Sequence, residues 1–207
     1  FTDRASDLDV ELSVRSADSF PGLLASRAVD VAVGPRGPVA SDDLTRTAFL
    51  KYQLAIVAGP ASTVAGVRAR PEALRDETWL LGPSVTETNS LTRRMVEAIG
   101  VPEANQRIFQ SHAAALEDVK RSRGIGLAVT FAAADDLAEG RLIQVDVRGG
   151  LQEGVWTALA LPQHGMTAST AELLRFITTP RATQAMLQGE AATIGHFKPS
   201  IHVTLWS

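Results

Sequence analysis

The sequence contains no cysteine among its 207 residues, which excludes both a disulfide framework and a thiolate metal site. Aromatic residues make up only 5% of the chain. No apolar run reaches the roughly 18 residues that a membrane-spanning helix needs. The four histidines lack the spacing that places two metal ligands on one helix face. We therefore expect no metal ion and no other cofactor.

Charge of one sign is also scarce. The chain has 20 basic and 23 acidic residues, a formal net charge of −3, and no long block of like charge. Nucleic-acid binding by these residues alone is therefore excluded as a main function. The composition, with 45% hydrophobic and 21% charged residues, is that of a globular protein large enough for one domain or two lobes.

The motifs of the common enzyme classes are missing as well. There is no Gly-x-Ser-x-Gly elbow to supply a serine nucleophile. Gly124-Ile125-Gly126 precedes a predicted strand, whereas a dinucleotide loop must follow a strand and open a helix. Asp30 stands inside an apolar strand pattern, and it either pairs locally at the start of that strand or serves a site. We expect no enzymatic activity.

The stretch 16–37 contains a helix pattern followed directly by a strand pattern, and we interpret the rest of the chain from it. A polar opening at Ser16 leads into apolar residues at helical spacing, over 20–28, and then directly into the β-branched run 29–33. The Gly/Pro segment 34–37 ends that run. A helix that feeds a buried strand is typical of α/β sheets, which bind ligands at the carboxyl ends of their strands.

The same patterns predict alternating strands and helices along the whole chain. Strands are predicted at 8–14, 44–50, 52–58, 79–81, 106–110, 124–129, 141–147, 155–161 and 201–206, and helices at 71–74, 90–99, 112–121, 130–138 and 167–187, the last broken at Thr179-Pro180. We predict an α/β fold with a mostly parallel or mixed sheet in each of two lobes. The chain crosses between the lobes near 50–53 and 155–158.

The same sequence pattern occurs at the ends of three predicted strands. A short apolar strand ends in a small or polar loop that opens a helix, at Ser16, at Ser84 and at Thr130. Each helix start offers N–H groups and the positive end of a dipole to an anion. Either these hydroxyls only cap their own helices, or they converge on one site that binds a small carboxylate. Three in one chain favour the site.

Several longer patterns resemble the effector-binding domain of LysR-type transcriptional regulators. They are Leu23-Leu24-x4-Val29-Asp30-Val31-Ala32-Val33-Gly34, the later Gly124-Ile125-Gly126-Leu127-Ala128-Val129 after a helix that ends in Lys120-Arg121, and Arg141-Leu142-Ile143 after Glu139-Gly140. The resemblance runs over residues 1–187. It implies two lobes like those of type 2 periplasmic binding proteins, with a small-molecule effector in the cleft and a separate winged helix-turn-helix that binds DNA.

The resemblance also implies an organisation. Residues 1–51 with 157–189 form one lobe, 52–156 the other, and 190–207 a C-terminal extension. The DNA-binding part and the family's first strand and helix are expected upstream of this chain, which looks truncated. A cytoplasmic protein that forms homo-oligomers in full length is implied, with an effector that is a carboxylate or another anion and with no membrane contact. The alternative is an extracytoplasmic solute-binding protein of the same fold.

Residue by residue, the family's ligand-facing positions fall on four segments. They are Ser16 and Ala17, then Pro35 and Arg36, then Ser84, Val85 and Thr86, and finally Thr130 and Phe131. Thr130-Phe131 stands where the family commonly has proline. Arg36 either binds a carboxylate through two parallel hydrogen bonds or is a solvated turn residue.

Overall fold

The computed structural model describes residues 9–35, 43–88, 90–188 and 200–206. The chain divides into two compact units: unit 1 comprises Phe1–Lys51 and Val155–Trp206, and unit 2 comprises Tyr52–Gly154. It passes from one to the other within two long strands, β3 (Thr45–Ala58) and β8 (Leu151–Ala160). The fold is the mixed α/β fold that the pattern predicted.

The sheet of unit 1 contains three parallel strands and one antiparallel strand. Strand β1 (Asp9–Arg15) pairs in parallel with β9 (Ser200–Trp206), and β9 pairs in parallel with β2 (Val31–Pro35). The other edge of β2 pairs with β8 in antiparallel fashion. Parallel strands end at the same edge of a sheet, so the chain leaves β1 and β2 at one common edge.

Helices cover both faces of this sheet. Alternation along β2 sends Val31 toward α6 (Ala168–Ile177) and Ala32 toward α1 (Phe20–Ala25). Val31 packs with Leu173, Leu174 and Ile177 of α6, and Ala32 packs with Phe20 and Leu24 of α1. A strand that is buried on both faces needs an apolar run, which explains the continuous Val/Ala pattern of this segment.

The sheet of unit 2 is also mixed. Strand β4 (Trp79–Leu81) pairs in parallel with β5 (Gln106–Ile108) and with β6 (Ile125–Val129). The second half of β3 pairs in antiparallel fashion with β6 and with β7 (Ile143–Gln144). Its core contains Ala55, Val57, Leu80, Val119, Ala128, Ala133 and Leu142.

The helices of unit 2 begin and end at residues that the sequence marks. These helices are α2 (Pro71–Leu74), α3 (Leu91–Ile99), α4 (His112–Lys120) and α5 (Ala134–Ala138). The Ser90 hydroxyl caps α3 by accepting from the N–H of Arg93, and Ser111 caps α4 in the same way. Gly100 ends α3 in the left-handed conformation, with φ of 77°. These caps confirm the predicted starts of α3 and α4.

Several predicted strand bounds were wrong. Gly34 and Pro35 do not end β2 but belong to it, paired with Thr157 and Trp156 of β8. The pairing of β2 with β9 ends earlier, at Val33. The two strands predicted over 44–58 are one, β3. The strand predicted over 141–147 is reduced to β7, with an isolated bridge at Asp146.

One of the two remaining helix predictions needs correction. Thr130 and Phe131 lie in a turn, and α5 begins only at Ala134. The break at Thr179-Pro180 is confirmed, because α6 ends at Ile177 and α7 (Pro180–Gln188) begins at the proline. The strand predicted over 201–206 is confirmed as β9, which pairs with β1 and β2 in the sheet of unit 1.

Candidate functional site

Two predicted segments of unit 2 lie beyond the ends of parallel strands. The chain leaves β4 at Gly82 and forms a 3₁₀ turn over Pro83–Thr86, and it leaves β6 at Thr130. Because β4 and β6 are parallel neighbours, both segments follow the same edge of the sheet. The structure therefore places Ser84, Val85, Thr86, Thr130 and Phe131 at adjacent strand ends, as loop residues.

Ser84 does not cap a helix. Its side chain is fully buried, and its hydroxyl lies 2.9 Å from the Thr92 hydroxyl on α3, to which it donates. The Ser90 hydroxyl, which caps α3, also donates to the Ser84 carbonyl over 2.5 Å. These two bonds fix the turn Pro83–Thr86 to the first turn of α3. The alternative that Ser84 only caps its own helix therefore does not hold, and its hydroxyl is already engaged with Thr92.

Val85 and Thr86 differ from Ser84 in exposure. Val85 is buried, whereas Thr86 is exposed and its hydroxyl donates to the Pro83 carbonyl over 2.8 Å. The next residue, Glu87, is buried and donates its N–H to the Ser84 carbonyl over 3.2 Å. The exposed part of this turn is therefore its Thr86 end.

His112 supports the start of the same turn. It is the first residue of α4, and its imidazole packs so closely on Gly82 that a Cβ at position 82 would collide with the ring atoms. Only glycine leaves room for the ring, so the backbone at Gly82 and the imidazole pack directly against each other. The structure gives His112 a packing role at this strand end.

Thr130 is held by the neighbouring strand. Its N–H donates to the Gln53 carbonyl of β3 over 2.9 Å, so this amide is not a free helix-terminal donor. The adjacent Tyr52 is buried, and burial raises the pKa of its hydroxyl to about 12, although the charge of Arg94 acts in the opposite direction. Its ring packs on Gly154. Tyr52 therefore remains a neutral hydroxyl at physiological pH.

In unit 1 the predicted positions follow β1 and β2. Ser16 and Ala17 come directly after β1, and the Ser16 carbonyl accepts from the N–H and the hydroxyl of Ser19, over 3.0 and 2.6 Å. Ser16 is exposed and Ala17 is half-buried. Pro35 is the last residue of β2 and half-buried, and Arg36 lies outside the described residues.

Asp30 lies just before β2 and is half-buried. It lines a small pit in unit 1 together with Arg27, Met166 and Thr167. The pit lies at the start of β2, whereas the predicted positions lie at the ends of strands. Asp30 thus lies at the start of its strand, where the interpretation of local pairing places it. It does not lie with the predicted ligand-facing positions.

A charged cluster in unit 2 joins α4, α5 and the segment before β7. The Asp136 carboxylate pairs with the Lys120 ammonium over 2.7 Å and with the Arg141 guanidinium over 2.5 Å. The Lys120 ammonium, followed by the Arg141 guanidinium, holds the pKa of the Asp136 carboxyl below its usual value, and the hydrogen bond to Asp136 raises the pKa of Lys120. Glu117 also pairs with Lys120, and Glu139 with Arg141, so the two cations of the cluster face three carboxylates.

Neither a metal centre nor a membrane span is found in the part of the chain that the structure describes. Within those ranges no three His, Asp or Glu side chains are grouped so that they could hold a metal ion. No helix there is long and apolar enough to cross a membrane.

Sequence reasoning missed three groups that surround the unit 2 strand ends: Tyr52, Thr92 and His112. Thr92 was not recognised because only the folded turn brings it to Ser84, and His112 because it contacts Gly82, which follows β4. Tyr52 is the one tyrosine of the sequence and opens an apolar strand, a signal that could have found it.

Sequence comparison shows which family the chain belongs to. The family model of the LysR substrate binding domain matches residues 1–180. The chain belongs to this family. An uncharacterized HTH-type transcriptional regulator of Mycobacterium tuberculosis is 43% identical over 210 residues, which cover all of this chain and 65% of the regulator. The chain thus spans 65% of the length of that relative.

Solved structures show the same fold at low sequence identity. The regulatory domain of CcmR from Synechocystis, in complex with 2-PG, has a TM-score of 0.70 at 18% identity and covers 93% of this chain and 89% of that one. The effector binding domain of QuiR, in complex with shikimate, has a TM-score of 0.64 at 12% identity, covering 82% and 79%. The regulatory domain of HypT from Salmonella typhimurium has a TM-score of 0.63 at 14% identity, covering 85% and 82%.

Membership of this family confirms the resemblance to LysR effector-binding domains that the sequence patterns indicated. The solved structures confirm the predicted type 2 periplasmic-binding-protein fold. The expectations that the chain has no enzymatic activity and works within a transcriptional regulator stay predictions. The individual effector-binding residues remain predictions.

Proposed function

We propose that this chain senses a small anionic effector on behalf of an attached DNA-binding domain. Both units contribute to binding: Ser16, Ala17 and Pro35 from unit 1, and the Pro83–Thr86 turn and Thr130 from unit 2. The observation that carries the proposal is that each described segment lies at the carboxyl end of a strand of its sheet, where open α/β sheets bind ligands.

The charges near these segments support an anion. Arg15, exposed, is the last residue of β1 and directly precedes Ser16. Arg94 is exposed on α3, the helix that follows the Pro83–Thr86 turn. Guanidinium groups suit a carboxylate or phosphate. The neighbours solved with 2-PG and with shikimate support a small polar effector of this class.

Binding then controls transcription through a shift in population. An effector favours one arrangement of the two units only by its difference in affinity between arrangements, and this difference is passed to the DNA-binding domain. Homo-oligomers of the full-length regulator and a cytoplasmic location belong to the same proposal.

Thermal-shift screening of the purified chain tests it, with a panel of small carboxylates, phosphorylated carboxylates and aromatic acids that includes 2-PG and shikimate. We expect at least one compound to raise the melting temperature; a compound present at 100 times its Kd stabilises by about 2.7 kcal/mol. Thr130→Val removes one hydroxyl at similar shape and should weaken that compound at least tenfold. The matched control is Thr178→Val, at an exposed threonine after α6. The proposal fails if no compound in the panel raises the melting temperature.

A further inference from the structure

We propose that the C-terminal strand β9 is a positioning element of the effector site in unit 1. It joins β1 to β2 and so holds the segments at Ser16 and Pro35 on one sheet edge. This inference rests on the proposed function for its effect on binding. It concerns a segment beyond residue 180, where the match to the family model ends.

The pairing of β9 is extensive on both sides. Its partners on β1 run without interruption from Asp9↔Ser200 to Arg15↔Trp206. Its partners on β2 run from Val31↔Val203 to Val33↔Leu205. Both pairings are parallel, so β9 is an interior strand whose backbone groups bond to two neighbours. The link from β1 to the rest of the sheet therefore runs through β9.

The register places the end of β9 between the predicted segments. Arg15 pairs with Trp206, and Ser16 is the next residue along β1. Val33 pairs with Leu205, and Gly34 and Pro35 are the next residues along β2. With one strand between them, β1 and β2 lie roughly 10 Å apart, twice the usual strand spacing. The separation of Ser16 from Pro35 is therefore set by the presence of β9.

Side-chain packing supports β1 mainly near its start, where Val10 packs against the core cluster of Val31 and α6. Leu12 and Val14, on the same face of β1, are 48% and 55% exposed. A strand with such exposed side chains gains little from burial, so its attachment depends mainly on its backbone hydrogen bonds to β9. We expect β1 to detach first when β9 is weakened.

Hydrogen exchange of the full chain tests this without any effector. Val203→Pro removes an N–H in the middle of β9, and Val203→Thr is the matched control, which keeps the N–H and the β-branched side chain. In Val203→Pro we expect the amides of 10–14 to exchange at least tenfold faster than in Val203→Thr, with unchanged exchange in β6 of unit 2. Equal protection of β1 in the two variants would overturn the proposal.

Two further arms keep the test decisive. If Val203→Pro also exposes β6, the milder Val203→Gly is used, and faster exchange confined to unit 1 is again the expected result; unchanged exchange in unit 1 overturns the proposal. With 2-PG as the probe, Val203→Pro should bind at least tenfold more weakly than Val203→Thr, and equal affinity of the two overturns the role in binding. If the parent chain does not bind 2-PG, the panel compound with the largest thermal shift takes its place with the same expected result. If no panel compound binds, that result counts against the proposed function, whereas the exchange data still decide the role of β9.

Discussion

Replacement of Ser84 by alanine should destabilise unit 2, because the Ser84 hydroxyl is a fully buried donor to Thr92. Thr92 is only 5% exposed, so no water can easily replace the lost partner. Leaving one member of a buried hydrogen-bonded pair unsatisfied costs about 1–3 kcal/mol. For a chain of this size each kcal/mol lowers the melting temperature by roughly 2–4 °C.

A double-mutant cycle separates the bond from other effects of Ser84. Thr92→Val should cost a similar amount, whereas Ser84→Ala with Thr92→Val should cost clearly less than the sum, because no unsatisfied hydroxyl remains. Urea unfolding of the four proteins measures the coupling. Thr88→Ala, at an exposed threonine after the same turn, is the control and should stay within about 0.5 kcal/mol of the parent. A Ser84→Ala variant that is as stable as the parent protein would contradict this prediction.

Two further predictions concern unit 2. Gly82→Ala should lower stability by about 1–3 kcal/mol, since its Cβ collides with His112, and adding His112→Ala should recover most of the loss in thermal melts; no recovery would contradict the packing role. Asp136→Asn should destabilise the chain at pH 7 and progressively less below about pH 4. The pKa of Asp136 is lower in the folded state, so its contribution is present above the unfolded pKa and is lost as the pH falls through the folded pKa. A destabilisation that is the same at pH 7 and pH 3 would contradict this.

The sequence predicts best those elements whose signals are local. The run 29–33 is apolar because both faces of β2 are covered, and Ser90, Ser111 and Gly100 mark helix ends through bonds to the nearest turn. Such signals need only neighbouring residues. They were sufficient for the fold class and for most helix bounds.

Other features depend on where the chain goes next. Strand β3 looked like two strands because its more exposed positions, first Arg46 and Ala48, shift to Lys51 and Gln53 as it passes from unit 1 to unit 2. Parallel pairing of β9 with β1 joins residues almost 200 apart, which no local pattern encodes. The partner of Ser84 depends on the fold of the turn around it. These are the points at which the predictions of the candidate site needed correction.

The proposed effector site lies at the carboxyl ends of strands from both units. Backbone amide chemical shifts of the isotope-labelled chain, recorded while the compound with the largest thermal shift is added, test this proposal. We expect shift changes at 16–17, 84–86 and 130–131. Changes confined to other surfaces, such as the pit around Arg27 and Thr167, would contradict it.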